Sequence, residues 1–584
     1  MSSLSFHPFR LPLKNRFLAR CIEHLLGLNI LARCYDGAPK DRGTLPFLDH
    51  VLDTLGVDLE TVDHDNALSL APTSGPLLVV ANHPLGGLEG VAIAKLLLEL
   101  RPDVRVLTNQ LLTRIPELND IFIGVDVLSG NASQQNMRGL REATQHLRGG
   151  GALLIFPAGK VAQVDIAFRR IYDHPWHRLV GQLARKTGAT CLPIHVGGYN
   201  SRLFYVLALI HPRLRTLLLP RELANKQGRT LRLAVGKPVV SQEIRHLGSA
   251  SAVTDYLRIS TQLLGKQPQE DRYAPEPRAL SLESSLPFPA ELATLADCKL
   301  LESEAFAVYC APYARLGSLL SHIGVAREVT FRQVGEGTGN SIDTDHFDPH
   351  YEHLFIWDND AHRLVGGYRI GRTLDIVEKH GLDALYSRTL YDFDRSYLDK
   401  IGQPLEMGRS FIHPDYQRHP LVLDLLWRGI GRYVAKKPQF HTLFGAVSIS
   451  REHSDLARAL IEECMLESFC AEQRFLDDVR PVAPLRVSGK LWTREMLTSL
   501  THISVVNKLV GRCDPGKALP TLLRHYLSLN GRFVCFSLNK VFNDSLDGLI
   551  LVDLRETPKK YLKRYLGKDG AANFLAYHGV DRSK

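Results

Sequence analysis

The sequence predicts two domains in tandem, an α/β domain followed by an α+β domain, and three observations lead there. At 584 residues the chain is too long for a single hydrophobic core. Residues 266–291, KQPQEDRYAPEPRALSLESSLPFPAE, mix proline, charge and serine without sustained periodicity and read as a linker between domains at 1–265 and 292–584. Before the linker, short apolar runs alternate with helical patterns; after it, strand-like runs come first and lie close together.

In the first domain, residues 77–81 (LLVVA) form a short buried strand and 91–100 a helix. Residues 153–156 read as a strand, 176–187 as a helix, 191–196 as a strand and 230–235 as a late strand before Gly236-Lys237-Pro238. In such an alternation ligands gather at strand ends. In the second domain, 305–320 read as helix, and 328–334, 353–357 and 364–370 as strands. A strand at 405–412, a helix at 421–435 and a strand at 443–449 follow, and residues 519–552 add a helix and two β-rich stretches. No internal repeat interrupts this order.

The apolar share of 45% and charged share of 23% exclude a disordered chain. A net charge of +9 suits an acidic partner, whether nucleic acid, anionic lipid or an acidic carrier protein, and equally suits a plain basic surface. Nine cysteines without a CxxC pair exclude a zinc ribbon or redox motif, no metal site is expected, and a reducing cytoplasm is the simplest home. No run reaches the ~20 apolar residues that span a bilayer, and residues 1–12 lack a secretory signal. The expectation is a protein that is neither exported nor membrane-spanning.

The predicted strand 77–81 runs into Asn82-His83-Pro84-Leu85-Gly86-Gly87-Leu88-Glu89-Gly90. An imidazole at a strand end can take a proton from an attacking hydroxyl, and a carboxylate can fix its tautomer. Glycines let the backbone fold tightly enough to return Glu89 to His83. The rival reading is a surface histidine in a Gly-rich turn.

Three further segments join it: Ile121-Phe122-Ile123-Gly124-Val125-Asp126, Ile155-Phe156-Pro157-Ala158-Gly159-Lys160, and Leu192-Pro193-Ile194-His195-Val196-Gly197-Gly198-Tyr199-Asn200. In this order the four resemble the blocks of the lysophospholipid (1-acylglycerol-phosphate) acyltransferase family, over about residues 60–245. The resemblance implies a glycerolipid-acyltransferase-like α/β fold. It makes His83 the general base, with Glu89 as its partner, and places Asn82, Phe156, Pro157, Gly159 and Pro193 at the substrate. Main-chain N–H groups near Gly159 would face the oxyanion. Two departures stand out: Glu89 replaces an aspartate and lies one residue further along, and Ala158 replaces a glutamate. A branch once labelled haemolysins, with NHPLGG and FPAG forms, is more similar.

The second domain carries Thr330-Phe331-Arg332, Asp345-His346-Phe347-Asp348, Val365-Gly366-Gly367-Tyr368-Arg369 and Glu406-Met407-Gly408-Arg409. Alone, these read as structural ion pairs. Their order resembles the GNAT-like N-acyltransferases that make lyso-ornithine lipid and the acyl-homoserine-lactone synthases, over about residues 300–450. The resemblance implies that Arg332, Asp345, Asp348, Arg369 and Arg409 bind substrate or brace the site. Glu406 would then take the proton of an attacking ammonium. Residues 413–420, HPDYQRHP, hold two prolines and no glycine where a CoA-binding relative cradles pyrophosphate. That favours an acyl carrier protein thioester as donor, with no tightly bound cofactor.

Together the chain resembles the bifunctional ornithine lipid synthases. The second domain would acylate the ornithine α-amine with a 3-hydroxyacyl chain, and the first would esterify the hydroxyl of that lyso-lipid. Residues 4–31 and 202–223 mix cations with apolar residues at helical spacing, as interfacial helices do on anionic lipid. The expected setting is peripheral, on the inner face of the cytoplasmic membrane, with no nucleic acid. Another aminolipid synthase, an ordinary glycerophospholipid acyltransferase, and a non-catalytic membrane-binding or lytic protein remain rivals.

Overall fold

The computed structural model describes residues 7–39, 42–125, 133–165, 170–266 and 290–580. Two compact units form: Met1–Gln267 with Leu491–Arg512, and Pro268–Lys490 with Cys513–Lys584. The Pro-rich stretch falls almost wholly outside the described residues, as does Asp126.

The first unit is built on Asp58–Asp63 (β1), Leu77–Ala81 (β2), Val104–Asn109 (β3), Phe122–Val125 (β4), Ala152–Ile155 (β5), Thr190–Val196 (β8) and Thr230–Val235 (β9). A small hairpin, Gln163–Asp165 (β6) and Arg170–Tyr172 (β7), stands apart. The sheet order is β1-β9-β8-β2-β5-β3-β4, parallel throughout except where β8 meets β9. A parallel sheet covered on both faces needs continuous apolar strands, and β2 and β5 are buried at every residue. Helices Leu88–Leu100, Ser133–Arg148, Leu179–Thr187 and Ala250–Leu263 supply cover.

The second unit holds an eight-stranded sheet of Lys299–Ser303 (β10), Phe306–Pro312 (β11), Glu352–Asp358 (β12), Arg363–Arg372 (β13), Pro404–Ile412 (β15), Thr442–Ile449 (β16), Arg532–Asn539 (β18) and Ser545–Asp553 (β19). Its order is β10-β11-β12-β13-β15-β16-β19-β18, and β15–β16 is the one parallel pair. Tyr391–Asp392 (β14) and Arg480–Pro481 (β17) form a separate short pair. Helix Leu319–Gln333 packs with Tyr309, Phe355 and Trp357 on one face. Gly429 of helix Val422–Lys436 sits against Val308 and Leu354 on the other. The alternation of β11 and β12 therefore assigns His353 and its cross-strand partner Arg369 to the face of the first helix.

Two expected elements are corrected. Residues 305–320, read as helix, form β11, a 3-10 turn Tyr313–Arg315 and only the start of a helix. Phe306, Val308 and Tyr309 are β-formers held between two partner strands. Residues 328–334, read as a strand, belong to helix Leu319–Gln333, which is buried on every side from Ile323 to Thr330. A helix buried all round, charged residues included, shows no 3.6-residue stripe to read.

Candidate active sites

In the first unit, β2 delivers the chain into a turn braced on three sides. Asn82 donates from Nδ2 to the Val196 carbonyl (2.9 Å) and accepts the Val196 N–H at Oδ1 (2.7 Å), so its amide extends the β2–β8 ladder by one rung. The His83 carbonyl accepts the Ala162 N–H (2.8 Å), and its N–H points to Asp173 Oδ1 (3.4 Å). Asn200 Nδ2 lies 3.2 Å from the carbonyls of both Pro84 and Leu85. Gly86 has φ +115°, and a Cβ there would lie 2.9 Å from Leu219 Cδ2. Only glycine takes that corner without strain.

The corner returns the chain so that Glu89 enters the first turn of helix Leu88–Leu100 facing back at His83. Glu89 Oε1 lies 2.9 Å from His83 Nδ1 and accepts the N–H groups of Leu85 (2.9 Å) and Gly86 (2.8 Å). The carboxylate is fully buried, at the positive end of a helix, whereas the imidazole keeps 18% of its surface exposed. A carboxylate accepts, so Nδ1 carries a proton, and in the neutral ring Nε2 holds the lone pair. Among the described residues none is hydrogen-bonded to Nε2. The ring leans on Phe156 at 4.7 Å. An imidazole with one nitrogen fixed by a buried acid and the other open is a proton acceptor for a bound hydroxyl.

Phe156-Pro157-Ala158-Gly159 makes a tight turn, with Gly159 at φ +62° and its N–H on the Phe156 carbonyl (3.0 Å). That N–H is therefore committed and does not face an oxyanion; the N–H groups of Ala158 and Lys160 make no main-chain bond among the described residues. Pro193 is buried inside β8, between the Cys191–Val239 bridge and the start of the β9 ladder, where a missing N–H costs nothing. Expected at the substrate, Pro193 and Asn82 instead build the frame. Asp173, which no motif announced, accepts Trp176 Nε1 (2.7 Å), and burial pushes its carboxyl up to about 6.

In the second unit an ion-pair cluster lies under helix Leu319–Gln333. Arg369 Nη1 bonds Asp345 (2.6 Å) and Asp348 (3.1 Å); Arg409 Nη2 bonds Asp345 (2.7 Å), and its Nε is 3.1 Å from Asp343. Arg327 Nη1 donates to Asp348 (3.0 Å) and Nη2 to His353 Nδ1 (3.2 Å). Burial alone would raise Asp348; the guanidinium groups of Arg327 and Arg369 hold it well below the carboxylate range. Burial and Arg327 push His353 down to about 3, so it is neutral. Arg409 sits at φ +48° on a bulge in β15, where the β13 register slips. Three arginines against three aspartates make a balanced scaffold, and Arg369 retains Nε and Nη2 without a hydrogen-bond partner among the described residues.

Asp345, Asp348, Arg369 and Arg409 thus come together as expected positions, joined by Arg327, Asp343 and His353. Arg332 does not: it is paired with Glu328 (2.7 Å) and the Asn340 carbonyl (2.8 Å), one and a half helical turns away from Arg327. Glu406 is fully buried on β15, taking the Tyr351 hydroxyl at one oxygen and the Ser387 N–H (2.6 Å) at the other. Burial raises its proton affinity. The Arg369 guanidinium stacks 4.7 Å over the Tyr351 ring, linking acid and cluster.

Beside Glu406 the sheet opens. β15 and β16 pair only over Pro404–Glu406 and Thr442–Phe444, then diverge, and Gly445 stands at the fork. The turn after β15 fills its own N–H groups: Tyr416 bonds the His413 carbonyl (2.8 Å), His419 that of Tyr416 (2.9 Å), and Asp415 bonds His413 Nδ1 (3.3 Å).

Comparison with known proteins finds family matches in both units. A family model described as Acyltransferase matches residues 5–269, and one described as Acetyltransferase (GNAT) domain matches 326–428. A Glycine N(alpha)-acyltransferase of Phocaeicola vulgatus is 26% identical over 270 residues, covering 43% of this chain and 80% of that protein. A Lyso-glycine lipid O-acyltransferase of the same organism is 27% identical over 238 residues, covering 38% and 79%. An L-ornithine N(alpha)-acyltransferase of Rhodobacter capsulatus is 33% identical over 234 residues, covering 39% and 80%. The first unit has the α/β acyltransferase fold, and the second the α+β GNAT fold.

Proposed function

We propose that this chain, an acyltransferase that belongs to the aminolipid-forming family of the Rhodobacter capsulatus L-ornithine N(alpha)-acyltransferase, makes a two-chain amino-acid lipid by an amide-forming and an ester-forming step. The observation that carries this reading is the presence, on one chain, of two different proton-accepting sites in two acyltransferase folds: His83–Glu89 and buried Glu406.

In the amide step, the α-ammonium of ornithine gives its proton to Glu406 and the freed amine attacks a 3-hydroxyacyl thioester. The nitrogen of the tetrahedral intermediate loses its second proton to the departing sulfur as the C–S bond breaks, so the thiol leaves neutral and Glu406 releases the first proton to solvent. The fork between β15 and β16 suits the extended amide arm of a phosphopantetheine, which pairs like an added strand. An acyl carrier protein fits better than CoA, because the turn after β15 has two prolines and no ring of free N–H groups for a pyrophosphate. Its acidic surface would meet a chain of net charge +9.

In the ester step, His83 Nε2 takes the proton of the 3-hydroxyl, which attacks a second thioester, and returns it to the leaving thiolate. Having both sites on one chain keeps the single-chain intermediate at high effective concentration. Exposed Phe17 and Leu25 on helix Arg16–Leu25, and Val206, Leu209 and Ile210 on helix Arg202–Ile210, stand beside Arg16, Arg20 and Arg202. They support seating on the anionic inner face of the cytoplasmic membrane. Among the described residues no helix is long and apolar enough to cross one.

Mass spectrometry of lipids from a host expressing the protein tests the scheme. Wild type yields a phosphorus-free two-chain aminolipid, His83→Ala stops at the lyso-lipid, and Glu406→Ala gives neither but still esterifies supplied lyso-lipid. Accumulation of esterified glycerophospholipid alone would refute it. Glycine as acceptor is a second reading, favoured by the Phocaeicola relatives. Competition of labelled glycine against ornithine separates the two.

A further inference from the structure

A cavity of about 130 Å³ opens beside the His83–Glu89 turn, over the end of the sheet where β1 and β9 begin. Leu85 and Leu88, from the turn itself, form one wall, and Gly198, just past β8, forms another. Leu231 lies below, and Lys226 and Arg229 complete the lining, which contains no acidic side chain. The space is too small for an acyl chain and of the size of a small polar head.

Lys226 is an unusual residue to find there. It is 5% exposed, donates to the Tyr199 carbonyl (2.9 Å), and has its nearest carboxylate, Glu222, 3.9 Å away. Glu222 is itself engaged by the N–H (2.8 Å) and hydroxyl (2.6 Å) of Ser201. An ammonium has three N–H donors, and a buried one is costly unless they are used. One carbonyl and one distant carboxylate leave donor capacity on an ammonium whose residue lines the cavity. Arg229, at the exposed rim, makes no ion pair among the described residues. Burial lowers the Lys226 proton affinity, a cost that an incoming anion would relieve.

We propose that this cavity is the head-group subsite of the ester-forming reaction, holding the anion of the acceptor lipid against Lys226 and Arg229 while its hydroxyl reaches His83. The inference rests on the O-acylation assigned above to the first unit. The anion is a carboxylate if the acceptor is an N-acyl amino acid and a phosphate if it is a lysophospholipid.

Steady-state O-acylation by the full chain tests it, with N-(3-hydroxyacyl)ornithine, its methyl ester and lysophosphatidic acid as acceptors. A charge-assisted contact is worth about tenfold to a hundredfold in KM. Wild type is expected to show that preference for the free acid over the methyl ester. Lys226→Met and Arg229→Gln erase it by raising KM for the acid about tenfold more than for the methyl ester. Arg229→Gln, at the rim, changes no buried contact and so keeps the test valid if Lys226→Met misfolds. Equal losses on acid and ester, or no change in either variant, overturn the proposal. If lysophosphatidic acid is the better acceptor and shows the same sensitivity, the subsite stands and its anion is a phosphate. If wild type acylates none of the three, the function assigned above falls. Calorimetric binding of the free acid, lost in Arg229→Gln, then supports the subsite, and binding that survives overturns it.

Discussion

Glu89 holds three hydrogen atoms at one oxygen, those of His83 Nδ1, Leu85 N and Gly86 N. It therefore shapes the turn and orients the imidazole through the same atom. Gln keeps an acceptor there and removes the charge, so Glu89→Gln should keep the melting temperature and lower kcat for ester formation about 10²–10⁴-fold with little change in KM. Pre-steady-state and steady-state assays on lyso-lipid check it. Glu336 presents the opposite case, a buried acid with no ion pair among the described residues. Burial, and then Asp547, pushes it up to about 8, although Ser448 hydrogen-bonds to it (2.8 Å). A raised folded-state value means that this group adds stability below about 4.5 and loses it as pH rises towards about 8. Glu336→Gln should thus match wild type in melting temperature near pH 5 and exceed it at pH 8, as scanning calorimetry would show. The meeting of the candidate side chains was partly legible: His83 and Glu89 stand in a Gly-rich turn that can fold back, and the two are in contact. Arg327 was hidden because a buried cation inside an apolar helix carries no local mark, and the more exposed Arg332 drew the assignment.

At the scale of elements, tight helix contacts depend on missing side chains. Gly181 of helix Leu179–Thr187 meets helix Ala250–Leu263 so closely that a Cβ would lie 1.9 Å from the Ala250 carbonyl oxygen. Its N–H is also bound by Thr254 Oγ1 (3.2 Å). Gly181→Ala should cost about 1–3 kcal/mol, read from the urea midpoint at unchanged slope. Strands β2, β5, β8 and β9 of the first unit were legible, β2 because full burial writes an uninterrupted apolar run at 77–81, whereas β1, β3 and the small hairpin were not. The opening of the second unit was not. Residues 305–312 owe their extended form to β10, just across a tight turn, and to β12, a partner that lies outside any local window. The β-branched Val329 and Thr330 are buried in the helix, Val329 against Val325 and Ile342, and tertiary packing overrides propensity. The β15 bulge at Arg409 was equally silent, since nothing but tertiary contact with Asp343 and Asp345 calls for φ +48° there.

The molecule as a whole combines a basic surface with exposed apolar side chains on two helices of the first unit, Phe17 at 79% and Ile210 at 69%. Flotation with anionic liposomes should carry the protein at low salt and release much of it at about 0.5 M salt, because screening removes the electrostatic share and leaves the apolar one. Flotation that ignores lipid charge would contradict this seating. The interleaving of the two units was not visible in the sequence. The Pro-rich stretch suggested a single crossing, yet Leu491–Arg512 packs with the first unit. There Arg512 bonds Glu243 (2.8 Å) and the Lys237 carbonyl (2.8 Å), and Leu497, Val505, Val506 and Leu509 are buried.

That returning segment sets a clock on biosynthesis. Residues 268–490 must be made before the piece that completes the first unit leaves the ribosome. At about 5–20 residues per second this takes roughly 10–45 s. For that interval the nascent first unit carries an uncovered apolar surface around helix Ala250–Leu263, and it reaches its final form only after most of the chain behind it has been translated.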